Sequence, residues 1–101
     1  MGNFVKVARR DEIPQGTGKT IEAGGKPIAL FNVGGNFHAI HNTCLHRGGP
    51  LGEGDLDGNT VACPWHGWEY DVTTGVCIGD PSRKVACFNV QVQGDDILVE
   101  V

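Results

Sequence analysis

The sequence contains no run approaching the roughly 20 consecutive apolar residues of a membrane-spanning helix. Met1 to Arg10 places no apolar core behind its charges, so no secretory signal is expected. Basic charge is in deficit: 8 Lys and Arg against 12 Asp and Glu give a formal net charge of −4. That argues against a nucleic-acid binder, which needs a basic face, and is compatible with docking onto basic patches of protein partners. No apolar stretch with helical period is long enough to compete with strands. Repeats, low-complexity tracts and linkers are absent as well. What these absences leave is one small domain, residues 1–101, expected to be soluble and cytoplasmic.

Glycine, by contrast, is abundant: 16 residues, about twice the usual share. This fits many tight turns between short strands. Asn3 to Ala8 reads as a first strand, Arg9 to Ile13 as one helical turn stopped by Pro14, and 15–18 as loop. Thr20 to Ala23 and Pro27 to Val33 flank a Gly24-Gly25 hairpin signal. Gly34-Gly35-Asn36 turns the chain into Phe37 to His41, so the first forty residues read as an antiparallel meander. Leu51 to Asp55 reads as Gly-rich loop, with Glu53, Asp55 and Asp57 forming a solvated acidic segment. Thr60 to Cys63, Glu69 to Val72 and Val76 to Ile78 follow as short strands. Val85 to Val92 and Ile97 to Val101 close the chain as a hairpin about Gly94-Asp95. The fold class is therefore all-β, a small antiparallel barrel or sandwich.

Two ligand runs stand out: Cys44-Leu45-His46-Arg47-Gly48-Gly49-Pro50 and Cys63-Pro64-Trp65-His66-Gly67-Trp68. Each offers one thiol and one imidazole, spaced C-x-H and C-x-x-H, with 16 residues between His46 and Cys63. Two soft sulfurs with two borderline nitrogens suit iron or zinc rather than calcium or magnesium. A domain of this size buries only about two-thirds of its unfolded surface, so a metal tying two distant loops together contributes to folding too. Cys77 and Cys87 are isolated in strand-like runs and read as small buried apolar residues. His38 and His41 lie three apart on one strand, hence on opposite faces, and read as ordinary histidines.

With R-G-G-P after the first pair and P-W-H-G-W in the second, the sequence resembles Rieske iron–sulfur proteins over most of its length. The resemblance implies one [2Fe–2S] cluster, with Cys44 and Cys63 on one iron and His46 and His66 on the other. It also implies a cluster-binding subdomain, about residues 42–82, built from two Gly-rich ligand loops on an antiparallel β fold. Gly79-Asp80-Pro81 matches a third loop that covers the cluster, and Trp65 and Trp68 are expected to shield it. Respiratory Rieske proteins carry a disulfide between the ligand loops; the matching positions here are Gly49 and Trp65. They also place a serine near a bridging sulfide, where this sequence has Trp68, whereas Tyr70 matches their tyrosine. With one donor missing, the potential is expected low in the Rieske range of roughly −150 to +300 mV.

These choices resemble the ferredoxins of oxygenase systems. They imply a one-electron carrier, not itself an enzyme, between a flavin-containing ferredoxin reductase and a terminal oxygenase. No histidine follows His66, so this sequence offers no further two-His-one-carboxylate iron site. Two alternatives are a small Rieske subunit of a nitrite-reductase-like enzyme and a structural zinc module. Zinc also takes two Cys and two His, but C-x-H followed by R-G-G-P is not a usual zinc pattern.

Overall fold

The computed structural model describes residues 3–45, 48–65 and 67–101. Its strands are β1 (Phe4–Arg9), β2 (Thr17–Ala23), β3 (Lys26–Val33), β4 (Asn36–His41), β5 (Asp55–Asp57), β6 (Thr60–Ala62), β7 (Glu69–Asp71), β8 (Cys87–Phe88), β9 (Val90–Gln93) and β10 (Asp96–Glu100). They form three antiparallel sheets, ordered β1-β10-β9, β2-β3-β4-β8 and β5-β6-β7. Two short 3-10 turns, Arg10–Glu12 and Leu51–Glu53, are the helical segments among the described residues. No helix there is long and apolar enough to cross a membrane.

The organising strand is β3. Ile28, Ala29, Leu30 and Phe31 are all fully buried, which a strand achieves only when both of its faces are covered. Alternation then sends neighbours into different cores. Ile28 and Leu30 join Ile21, Ile97 and Val99 on one side. Ala29 and Phe31 join Ile40, Leu51, Val61, Tyr70, Cys44 and Cys63 on the other. Burying each of Ile28, Leu30 and Phe31 contributes about 1.5–3 kcal/mol. The four-stranded sheet is thus the middle layer, with the terminal strands on one face and the cysteine-bearing segment on the other.

The all-β expectation holds, and several local readings are corrected. β1 does not join a meander; it pairs with β10 and brings the two ends of the chain together. β2 begins at Thr17, inside the segment read as loop, because Gly18 packs directly under the Phe31 ring where no side chain would fit. Leu51–Glu53 is a 3-10 turn and Asp55–Asp57 a strand, although Asp55 and Asp57 are exposed as expected. Val76 to Ile78 forms only isolated bridges, Tyr70 to Cys77 and Val76 to Lys84. The Val85 to Val92 run divides: Cys87–Phe88 pairs with β4, whereas Val90–Gln93 pairs with β10. Cys77 is buried, but Cys87 is exposed, its thiol 3.5 Å from the Thr73 carbonyl oxygen.

Candidate metal centre

The two cysteines sit at the mouths of loops built on one plan. Cys44 donates its N–H to the Gly49 carbonyl (2.9 Å) and its own carbonyl accepts from the Gly48 N–H (2.8 Å). Cys63 donates to the Trp68 carbonyl (2.7 Å) and accepts from the Gly67 N–H (3.1 Å). In both loops the bonds therefore run to the fourth and fifth residues beyond the cysteine, despite the different C-x-H and C-x-x-H spacings. The fourth residue must turn back with positive φ, 75° at Gly48 and 73° at Gly67, where a side chain is disfavoured. Thr43 and Pro50 close the first loop as a bridge. β6 and β7 lead into and out of the second, with Ala62 opposite Glu69.

Both thiols are buried, at 2% and 3% exposure, and they lie close enough to interact. Each has a hydrogen-bonding group beside it. The Trp65 N–H approaches the Cys63 sulfur at 3.4 Å, and the buried Tyr70 hydroxyl lies 3.4 Å from the Cys44 sulfur while accepting from the Leu45 N–H at 3.0 Å. Burial, then the Cys44 sulfur, pushes the Tyr70 phenol above its ordinary range, so it keeps its proton and can donate. Burial likewise pushes the Cys63 thiol up. Gly49 packs against this pair, because a methyl group on it would lie 2.6 Å from the Cys63 sulfur.

His46, Arg47 and His66 lie outside the described residues. Trp68 is half-buried and packs against the core that holds both cysteines, whereas Trp65 is exposed. The guanidinium of Arg83 lies over the Trp68 ring at 5.8 Å, and its Nε binds Asp80 Oδ2 at 3.0 Å. Asp80 Oδ1 also accepts from the Ser82 hydroxyl at 2.6 Å. The 79–82 turn is thereby tied to the second ligand loop through Arg83. His38 and His41 both lie on β4, three residues apart, and His41 Nδ1 accepts from the Thr43 N–H at 3.2 Å.

One residue passed over in the sequence is Asn42, buried two positions before Cys44. Its side-chain oxygen accepts from the Thr20 hydroxyl (3.1 Å) and the Gly52 N–H (2.8 Å). No motif announces it; a polar residue just outside a ligand run carries no signal of its own.

The profile of the Rieske [2Fe-2S] domain family matches residues 3–92. The chain belongs to that family. This Rieske chain is similar to the ferredoxin component of biphenyl 2,3-dioxygenase from Rhodococcus jostii (strain RHA1), at 34% identity over 99 residues, covering 97% of this chain and 92% of that protein. A solved complex of reduced oxygenase and oxidized ferredoxin in carbazole 1,9a-dioxygenase includes a chain similar to it. The identity is 32%, the TM-score 0.87, and the match covers 96% of this chain and 92% of the other. The small subunit of a putative NADH-dependent nitrite reductase from Mycobacterium tuberculosis superposes with TM-score 0.92 over 100% of this chain and 96% of its own length. At 22% identity that match shows a shared fold alone.

The described residues fit a Rieske [2Fe-2S] group. Two buried thiols lie within interacting distance of each other, each has an N–H or O–H group beside it of the kind that stabilises sulfur ligands, and the bare Gly49 backbone sits where a side chain would run into the Cys63 sulfur.

Proposed function

We propose that this chain is a single-domain, soluble one-electron carrier of the cytoplasm, passing electrons from a flavin-containing ferredoxin reductase to a terminal oxygenase. Cys44 and Cys63 hold one iron as thiolates, and His46 and His66 hold the other. When bound, the [2Fe-2S] group supplies reversible one-electron storage. With protein groups at every outer ligand position, no site is left for a substrate, so the chain acts as a component of an oxidoreductase system and not as an enzyme.

The observation that carries this reading is the buried cysteine pair, each sulfur facing its own donor, at the mouths of two matched loops. Around it the remaining residues have separable tasks. Tyr70 and the Trp65 N–H stabilise negative charge on the sulfurs, which favours the reduced state. Trp68, held under Arg83, excludes water from one side, and the 79–82 turn is the third loop that covers the group. The exposed side chains of Leu45 and Trp65, one on each ligand loop, present an apolar rim to a redox partner. Redox encounters of this kind use small interfaces. The chain's net charge of −4 favours a partner with a basic docking patch.

The test is reconstitution. Purified protein should accept one electron from dithionite, show an EPR signal only after reduction, and support turnover of a terminal oxygenase supplied with its reductase. Reduction without any gain in oxygenase turnover across several such systems would sink the partner assignment while leaving the electron carrier intact.

A further inference from the structure

We infer that Asn42 and Thr20 form a clamp that positions the first ligand loop, an inference that rests on Cys44 being a cluster ligand. Asn42 is one of two buried polar residues in the structure as described. Its four polar links run to three separate pieces of chain. The backbone N–H donates to the Pro27 carbonyl on β3 at 3.0 Å, and the backbone carbonyl accepts from the Leu51 N–H at 2.7 Å. The side-chain oxygen accepts from the Gly52 N–H and from the Thr20 hydroxyl on β2. Residues 42 and 51–52 are the two ends of the loop that carries Cys44. Asn42 therefore closes that loop at its neck and fastens the neck to the middle sheet.

The surroundings are shaped for this contact. A methyl group on Gly52 would lie 2.5 Å from the Thr20 hydroxyl oxygen and 2.7 Å from its backbone nitrogen, so the 3-10 turn can meet β2 only with glycine there. Thr20 lies on the same face of β2 as Gly18, which packs under Phe31. From the neck, Thr43 pairs with Pro50 and Cys44 bonds to Gly49. A tilt at Asn42 is thus passed directly to the Cys44 sulfur and to its contact with Tyr70. Asn42 and Thr20 touch no ligand atom; they are positioning residues.

Thr20→Val keeps the shape and strand preference of Thr20 while deleting one donor to Asn42. Asn42 is buried and Thr20 exposed, so the bond between them is part-buried; a hydrogen bond of this kind corresponds to about a fivefold change in an equilibrium. Holoprotein of Thr20→Val should lose its visible absorbance to a chelator about fivefold faster than wild type. It should also show shifted EPR g-values after reduction, and Thr20→Ser should restore both. Asn42→Leu should show the same changes more strongly. Wild-type g-values and chelator kinetics in Thr20→Val would overturn the inference, even if Asn42→Leu does not fold. Lowered thermal stability with unaltered g-values would also overturn it, since that is what a merely structural role produces. Failure of the ligand reading has a different signature, wild-type protein without labile sulfide. In that case the exchange rates of the Leu51 and Gly52 amides decide the clamp: faster exchange in Thr20→Val supports it and unchanged exchange refutes it.

Discussion

Gly49 and Cys63 belong to different ligand loops, yet a methyl group on Gly49 would stand 2.6 Å from the Cys63 sulfur. The same methyl would lie 3.1 Å from Trp65 Cγ and 3.2 Å from Trp65 Cβ. Gly49 and Trp65 are thus neighbours across the loops, at the positions where respiratory Rieske proteins are bridged by a disulfide. Here the indole and the bare glycine backbone fill that space, and the contact is non-covalent.

Gly49→Ala tests this contact. The methyl has no flexible neighbour to displace, since the atom it meets first is the buried Cys63 sulfur. Overpacking of this kind costs about 1–3 kcal/mol. The variant should bind substantially less iron than wild type, or bind it with shifted g-values. Iron content measured against protein concentration, followed by EPR, checks it; full loading with an unaltered spectrum contradicts it.

Tyr70→Phe deletes the hydroxyl facing Cys44 while preserving the ring that fills the core. The cluster should be retained and the midpoint potential should fall, because a donor to a sulfur ligand stabilises the reduced state. One hydrogen bond of roughly 1–1.5 kcal/mol corresponds to about 40–60 mV for one electron. A redox titration of wild type and variant reads the difference, and equal potentials would show that the 3.4 Å contact does not tune the site.

The pH dependence of loading follows from Cys63. Its thiol titrates above the ordinary range, first because it is buried and further because Cys44 is adjacent. In metal-free protein it is therefore protonated at neutral pH, and ligation must release that proton. The sign is fixed: a raised thiol pKa makes loading more favourable as pH rises toward it. Reconstitution at pH 8.5 should be more complete than at pH 6.5, with proton release detectable in weak buffer. Loading that is independent of pH would mean Cys63 is already a thiolate or is not a ligand.

Asp80→Asn probes the third loop. Asp80 is an exposed carboxylate, held below its ordinary pKa by the Ser82 hydroxyl and Arg83. The amide keeps an acceptor for Ser82 and loses the hydrogen bond and charge pairing of Oδ2 with Arg83, which is solvent-screened. The visible spectrum should not change. Bleaching would mean that the 79–82 turn holds the second ligand loop through Arg83 and Trp68 more tightly than an exposed pair can.

The parts of this structure that were legible in the sequence are those where local chemistry acts alone. Glycine pairs marked the β2–β3 and β3–β4 hairpins, and the cysteine and histidine runs marked the loops. Tertiary contacts decided the rest. Thr17 and Gly18 read as loop because nothing local shows that Phe31 needs a vacancy there. Asp55–Asp57 is poor in strand-forming residues and pairs only because Leu56 faces Val61 across β5 and β6. The division of Val85 to Val92 between two sheets leaves no trace in its apolar alternation. Asn42 is inconspicuous for a similar reason: its partners lie 22 and 10 residues away.

The most direct measurement is the iron and acid-labile sulfide content of wild-type protein and Cys63→Ser, read alongside EPR after dithionite reduction. Wild type should contain two irons and two labile sulfides per chain, as a Rieske [2Fe-2S] domain requires, with an EPR signal only when reduced; Cys63→Ser should lose all three and fold less tightly. Zinc without labile sulfide in the wild type, or a full visible spectrum in Cys63→Ser, would contradict the assignment of the buried cysteine pair as the cluster's sulfur ligands.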